Sequence, residues 1–108
     1  MGKGNHIGEL EELVLLTISY LGEEAYGVSI LEDIEKRTGR SMNVSAIHAV
    51  LKRLENKGFA ESYMGGATKE RGGRRKRFFK LTTSGRVTIE ESMKVKIELY
   101  KHLSTSSS

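Results

Sequence analysis

The chain has 108 residues, a net charge of +4, 37% apolar and 30% charged residues, which is room for one domain with one core and not for two. It has no cysteine, which excludes disulfides, thiolate zinc sites and cysteine nucleophiles together. The longest apolar run, Leu13 to Leu16, is far too short for a membrane span or the core of a signal peptide, so a soluble, cytoplasmic protein is expected.

Residues 1–7 and 104–108 are small or polar and read as loose, disordered termini. Gly8 to Leu21 reads as a first helix, with Leu10, Leu13, Val14, Ile18 and Leu21 on one stripe and Leu15 and Leu16 widening it. Glu9, Glu11 and Glu12 open that helix where carboxylates meet the positive end of its dipole. A second helix is expected from about Ala25 to Arg37, burying Ile30, Leu31 and Ile34 before Gly39 stops it. A third begins at Asn43 or Ser45, either of which can cap it, and buries Ile47, Val50, Leu51 and Leu54 before Gly58.

The hydrophobic period then changes. Phe59 to Met64 and Arg77 to Leu81 are strand candidates flanking a glycine-rich basic loop, a hairpin longer than the tight two-residue kind. Thr82 or Thr83 can cap a last helix that runs to about Leu103. On it Ile89, Met93, Ile97, Tyr100 and Leu103 share an arc of roughly 120°. An amphipathic helix at the end of so small a domain needs a partner, and a second copy of the chain would supply one.

The charge is concentrated. Residues 66–80 hold seven basic side chains, Lys69, Arg71, Arg74, Arg75, Lys76, Arg77 and Lys80, against the single acid Glu70, for +6; the rest of the chain carries −2. A charged hairpin tip can merely discourage edge-to-edge aggregation. Four consecutive cations repel one another unless an anion lies nearby, so phosphate binding is the stronger reading.

Three helices, a hairpin and a last helix give the fold expected here: mostly α with a small two-stranded β-hairpin (α+β), a winged helix-turn-helix over residues 8–82 followed by a dimerisation helix over 83–103. In such a fold the third helix enters the major groove and the hairpin tip touches the backbone or minor groove. Opposite the buried stripe of that helix, Ser45, Ala49, Lys52 and Asn56 form the outer face, with His48 and Arg53 on its flanks and Ala46 near its start. Small residues there permit close approach to base edges, and Lys52 and Arg53 reach phosphate or guanine. An ordinary solvated face fits the same residues equally well.

Catalytic constellations are poor. His6, His48 and His102 share no metal-ligand spacing, and Gly65-Gly66 and Gly72-Gly73 lack the strand-to-helix context of a nucleotide loop. No enzyme activity, metal or cofactor is expected.

Four segments are more specific than the pattern. Gly8 to Leu16, then Tyr26-Gly27, then Leu51 to Gly58, then Arg74 to Thr82 followed by Gly85, resemble the PadR family in order and spacing. The resemblance implies a dimeric repressor whose first and last helices build the dimer interface, with Leu10, Leu13, Ile89, Met93, Ile97 and Tyr100 in it. It also implies contacts to pseudo-palindromic double-stranded DNA from Ser45, Ala46, His48, Ala49, Lys52 and Arg53 of the third helix, and from Lys69, Arg71, Arg74, Arg75, Lys76 and Arg77 of the wing. In some members a small aromatic or phenolic effector relieves binding. Where the family commonly has Gly-Thr-Leu-Tyr-Pro, this chain has Ser45-Ala46-Ile47-His48-Ala49, so operator preference does not carry over. The alternative is a protein-interaction winged helix without specific DNA binding, its basic hairpin docked on an acidic partner.

Overall fold

The computed structural model describes residues 7–65 and 76–106, in the order α1 (Glu9–Leu21), a 3-10 turn (Gly22–Glu24), α2 (Gly27–Thr38), α3 (Val44–Asn56), β1 (Ala60–Gly65), β2 (Lys76–Leu81) and α4 (Thr83–Ser106). Several of the helix ends have an identifiable cause. Gly8 has no side chain to cap α1, so only the return half of a capping box forms: its N–H donates to Glu11 Oε1 at 2.9 Å. Asn43 caps α3, its Oδ1 accepting from the Ala46 N–H at 2.8 Å. Gly58 (φ 81°) ends α3, and the Phe59 N–H bonds back to the Leu54 carbonyl at 2.9 Å, so the chain reverses directly into β1. Thr82 caps α4 through its Oγ1, which accepts from the Gly85 N–H at 2.9 Å.

The core gathers one stripe from each element: Val14, Leu15 and Ile18 from α1, Ile30 and Ile34 from α2, Ile47, Val50, Leu51 and Leu54 from α3, Phe59 and Ala60 beside β1, Phe79 from β2 and Ile89 from α4. Burying each of the larger side chains contributes about 1.5–3 kcal/mol. Strands β1 and β2 pair antiparallel, with Tyr63 opposite Phe78 and Ser62 opposite Phe79.

The structure departs from the sequence expectation at several points. Ala25 and Tyr26 do not belong to α2. Tyr26 forms a β-bridge with Phe78, and the Phe79 N–H donates to the Ala25 carbonyl at 2.9 Å, so this segment lies along the hairpin as a third, minimal strand. Helix α2 therefore starts at Gly27, with Ser29 Oγ accepting the Tyr26 N–H at 2.9 Å. Ile89, expected in a dimer seam, is buried within the protomer at 7% exposure. The first turns of α4 lie directly on the chain reversal after α3, which carries Ile89 into the core.

The rest of the α4 stripe runs out of the protomer. Met93 is half-buried, whereas Ile97, Tyr100 and Leu103 are 50%, 67% and 63% exposed. Helix α4 continues past the expected end at Leu103 to Ser106. On α1, Leu10 and Leu13 are partly buried against the protomer's own core, as is Ile7, which the sequence places in the loose terminus. The Cα radius of gyration is 15.9 Å, above the roughly 13 Å of a compact chain of this length.

Candidate nucleic-acid interface

Helix α3 presents the outer face that its period implies. Ser45, His48, Ala49, Lys52 and Asn56 are exposed, while Ile47, Val50, Leu51 and Leu54 are buried behind them. Ala46 is half-buried, its amide taken by the Asn43 cap. Lys52 makes no hydrogen bond or ion pair among the described residues. His48 lies across the start of α2: a Cβ on Gly27 would stand 2.8 Å from its Cε1. The absence of a side chain at Gly27 is thus what lets the His48 ring settle there, a contact the Tyr26-Gly27 pair did not reveal in sequence.

Arg53 departs from the expected set. Its Nε donates to Glu11 Oε2 at 3.2 Å, and Lys57 Nζ reaches the same carboxylate at 2.9 and 3.1 Å. Glu11 is buried rather than displayed at the mouth of the helix dipole. Burial alone would push its carboxyl up, but the Gly8 N–H, Lys57 and Arg53 outweigh that and hold it below the usual carboxylate range. Glu12 is buried similarly, accepting from Ser92 Oγ and Lys96 Nζ of α4. Burial is again opposed, here by Lys96 and Ser92, and its carboxyl is also held low. The two adjacent acids of α1 therefore tie down α3 on one side and α4 on the other.

At the hairpin, Lys69, Arg71, Arg74 and Arg75 lie outside the described residues. Lys76 and Arg77 are the first cations of β2, and both are exposed. Lys76 Nζ sits 4.0 Å from the centre of the Tyr26 ring. Arg77 Nη1 donates to Ser62 Oγ at 2.9 Å, and Ser62 Oγ donates to Glu55 Oε2 of α3 at 2.7 Å. This relay couples β2, near the loop end of the described strand pair, to α3. Neither Phe78 nor Phe79 is offered for stacking: Phe79 is in the core, and Phe78 is covered by Tyr26 and Tyr63, with ring centres 5.5 and 5.7 Å away.

Open clefts flank this frame among the described residues. One, of about 450 Å³, lies between the end of α1, the hairpin and the start of α4, with Ile18, Tyr63, Lys80 and Arg86 in its walls. Another, of about 490 Å³, runs along α4 past Met93 and Ile97. Among the described residues no group of three or more His, Cys, Asp or Glu is placed to hold a metal ion, and no helix is long and apolar enough to cross a membrane.

The profile of the Transcriptional regulator PadR-like family matches residues 14–91. Among solved structures, a PadR family transcription regulator from Clostridium difficile is 21% identical and superposes with a TM-score of 0.74, covering 91% of this chain and 97% of that one. A PadR-like transcriptional regulator from Bacillus cereus is 19% identical, with a TM-score of 0.73 and coverage of 89% and 88%. Bacillus subtilis PadR in complex with operator DNA is 25% identical, with a TM-score of 0.64; the match covers 78% of this chain and 46% of that one. No curated protein matches the chain in sequence.

Proposed function

The chain belongs to the PadR-like family of transcriptional regulators, and from that premise we propose that it is a repressor that binds a pseudo-palindromic operator as a homodimer. The third helix of each protomer enters the major groove, with Ser45 and Ala49 against base edges and Lys52 on phosphate or guanine. The basic hairpin lies on the flanking backbone, with Lys76 and Arg77 at the loop end of its strands and Lys69, Arg71, Arg74 and Arg75 in the sequence between the strands. The observation that carries this reading is the outer face of α3: small residues at its start, an exposed lysine without a partner among the described residues, and a rigid buried stripe behind them.

The dimer half of the proposal is supported by α4. Ile97 and Tyr100 are exposed large apolar side chains on one arc, a face that a second protein surface would bury. In the dimer a second copy of α4 covers them, with Met93 at the inner end of the seam. Leu10 and Leu13 of α1, already half-covered by the protomer, flank it.

The test is selection of bound fragments from genomic DNA by the purified full chain. Enrichment of a sequence with two half-sites about one helical turn apart is the expected outcome. Recovery of fragments without a common sequence, together with tight binding to an unrelated acidic polymer, would favour a protein-docking module instead.

A further inference from the structure

Helix α3 carries Lys52 and Arg53 in its C-terminal half, with Lys57 just past its end, and the fold treats these cations differently. Lys52 is without a partner among the described residues, whereas Arg53 and Lys57 both converge on Glu11. The carboxylate they share is 7% exposed and also accepts the Gly8 N–H. The cations themselves stay open to solvent, with side chains 53% and 35% exposed. At 100° per residue, Arg53 lies at the edge of the outer face, one step round from Lys52. A rotamer change at Arg53 would therefore send its charge outward.

Cations on a DNA-facing surface attract any duplex, because counterion release carries no sequence information. A fixed buried anion works against this. Each cation that leaves takes a partner from the buried Glu11, and loss of both would leave the Gly8 N–H as its remaining partner among those described, which is costly.

We propose that Glu11 is a specificity-determining residue of the protein: it holds Arg53 and Lys57 back from phosphate, so that α3 engages DNA through Ser45, Ala49 and Lys52 and less through charge alone. This rests on the DNA-binding reading above. A carboxylate that only staples α1 to α3 would affect stability and leave the salt dependence of DNA binding where it was.

The experiment titrates the full-length protein and its Glu11→Gln variant on a random-sequence DNA duplex over a range of salt concentrations, with thermal unfolding measured alongside. Glu11→Gln should bind the random duplex roughly 5- to 50-fold more tightly at about 0.1 M salt, and its log K against log salt should steepen by about 1–2. Equal or weaker binding with an unchanged slope overturns the proposal. If Glu11→Gln does not fold, Lys57→Met keeps the Glu11–Arg53 pair and decides the matter. An unchanged slope relative to the wild type supports a lysine held off the backbone, and a slope shallower by about 1–2 overturns it. A wild-type protein that fails to bind the duplex at about 0.05 M salt contradicts the regulator reading itself.

Discussion

The carbonyl oxygen of Phe59 occupies the space into which any side chain on Gly85 would project: an ideal Cβ there would lie 2.0 Å from that oxygen and 2.8 Å from the carbonyl carbon. The obstacle is backbone, held by a bond from the Thr82 N–H to the same oxygen at 3.0 Å, while Thr82 Oγ1 donates to the Gly58 carbonyl at 2.6 Å. The end of α3 and the start of α4 are thereby locked together. The angle at which α4 leaves the protomer follows from this contact.

Gly85→Ala should accordingly displace α4 rather than a neighbouring side chain. A loss of about 2–3 kcal/mol is expected, in the range of a severe overpacking change. Thermal or urea unfolding measures it, and a variant within about 0.5 kcal/mol of the wild type would mean that the contact is not close.

Glu12 gives a prediction in pH. Its folded-state pKa is depressed, so the stabilisation from its contacts with Ser92 and Lys96 is fully present above the ordinary carboxylate value and is lost as pH falls through the lower folded value. Glu12→Gln should thus be less stable than the wild type near neutral pH. The difference should shrink below about pH 4. A gap that stays constant down to acid pH would show that the charge of Glu12 is not what holds α4.

For the dimer, light scattering should give about twice the 12.1 kDa chain mass at micromolar concentration. Ile97→Asp combined with Tyr100→Asp places charges in the proposed seam at positions the protomer core does not use. The variant should be monomeric with its circular dichroism largely retained. A variant of unchanged mass would move the interface away from α4.

The hairpin should act through charge. Neutralising Arg74 and Arg75 removes two cations per protomer, so the slope of log K against log salt should become shallower by about 1–3, the limit being about 3.6 if all four in a dimer meet phosphate. Preference for operator over random DNA should barely change, because such contacts carry no base information. An intact slope would place these arginines against protein or solvent.

What the sequence made legible is what is local. The buried stripes, the stop at Gly58 and the outer face of α3 follow from period and chemistry within a few residues, and Asn43 and Thr82, each one of two capping candidates, proved to be the caps used. What it hid is what joins distant segments. Glu11 meets Arg53 and Lys57 across separations of 42 and 46 residues, and Glu12 meets Lys96 across 84. In sequence both acids look like surface carboxylates at a helix start, since nothing local says that α3 and α4 will close over them. Ala25 and Tyr26 were similarly obscured: they fit a helix start by composition, and only pairing with Phe78 and Phe79 makes them extended. Ile89 fits the α4 stripe, and the docking of Gly85 on Phe59 is what takes it inward.

The central claim is that the outer face of α3 reads DNA sequence, and the most direct measurement is the ratio of operator to random-duplex affinity for the wild type and for Ala49→Glu, taken at one salt concentration. Ala49 is exposed, opposite the buried stripe, so folding and circular dichroism should be unchanged while a glutamate there meets the DNA with bulk and like charge. The wild type should favour its operator by at least about 10³-fold, and Ala49→Glu should lose most of that ratio. A folded Ala49→Glu variant that keeps the full ratio would contradict the account, because sequence would then be read by some other surface.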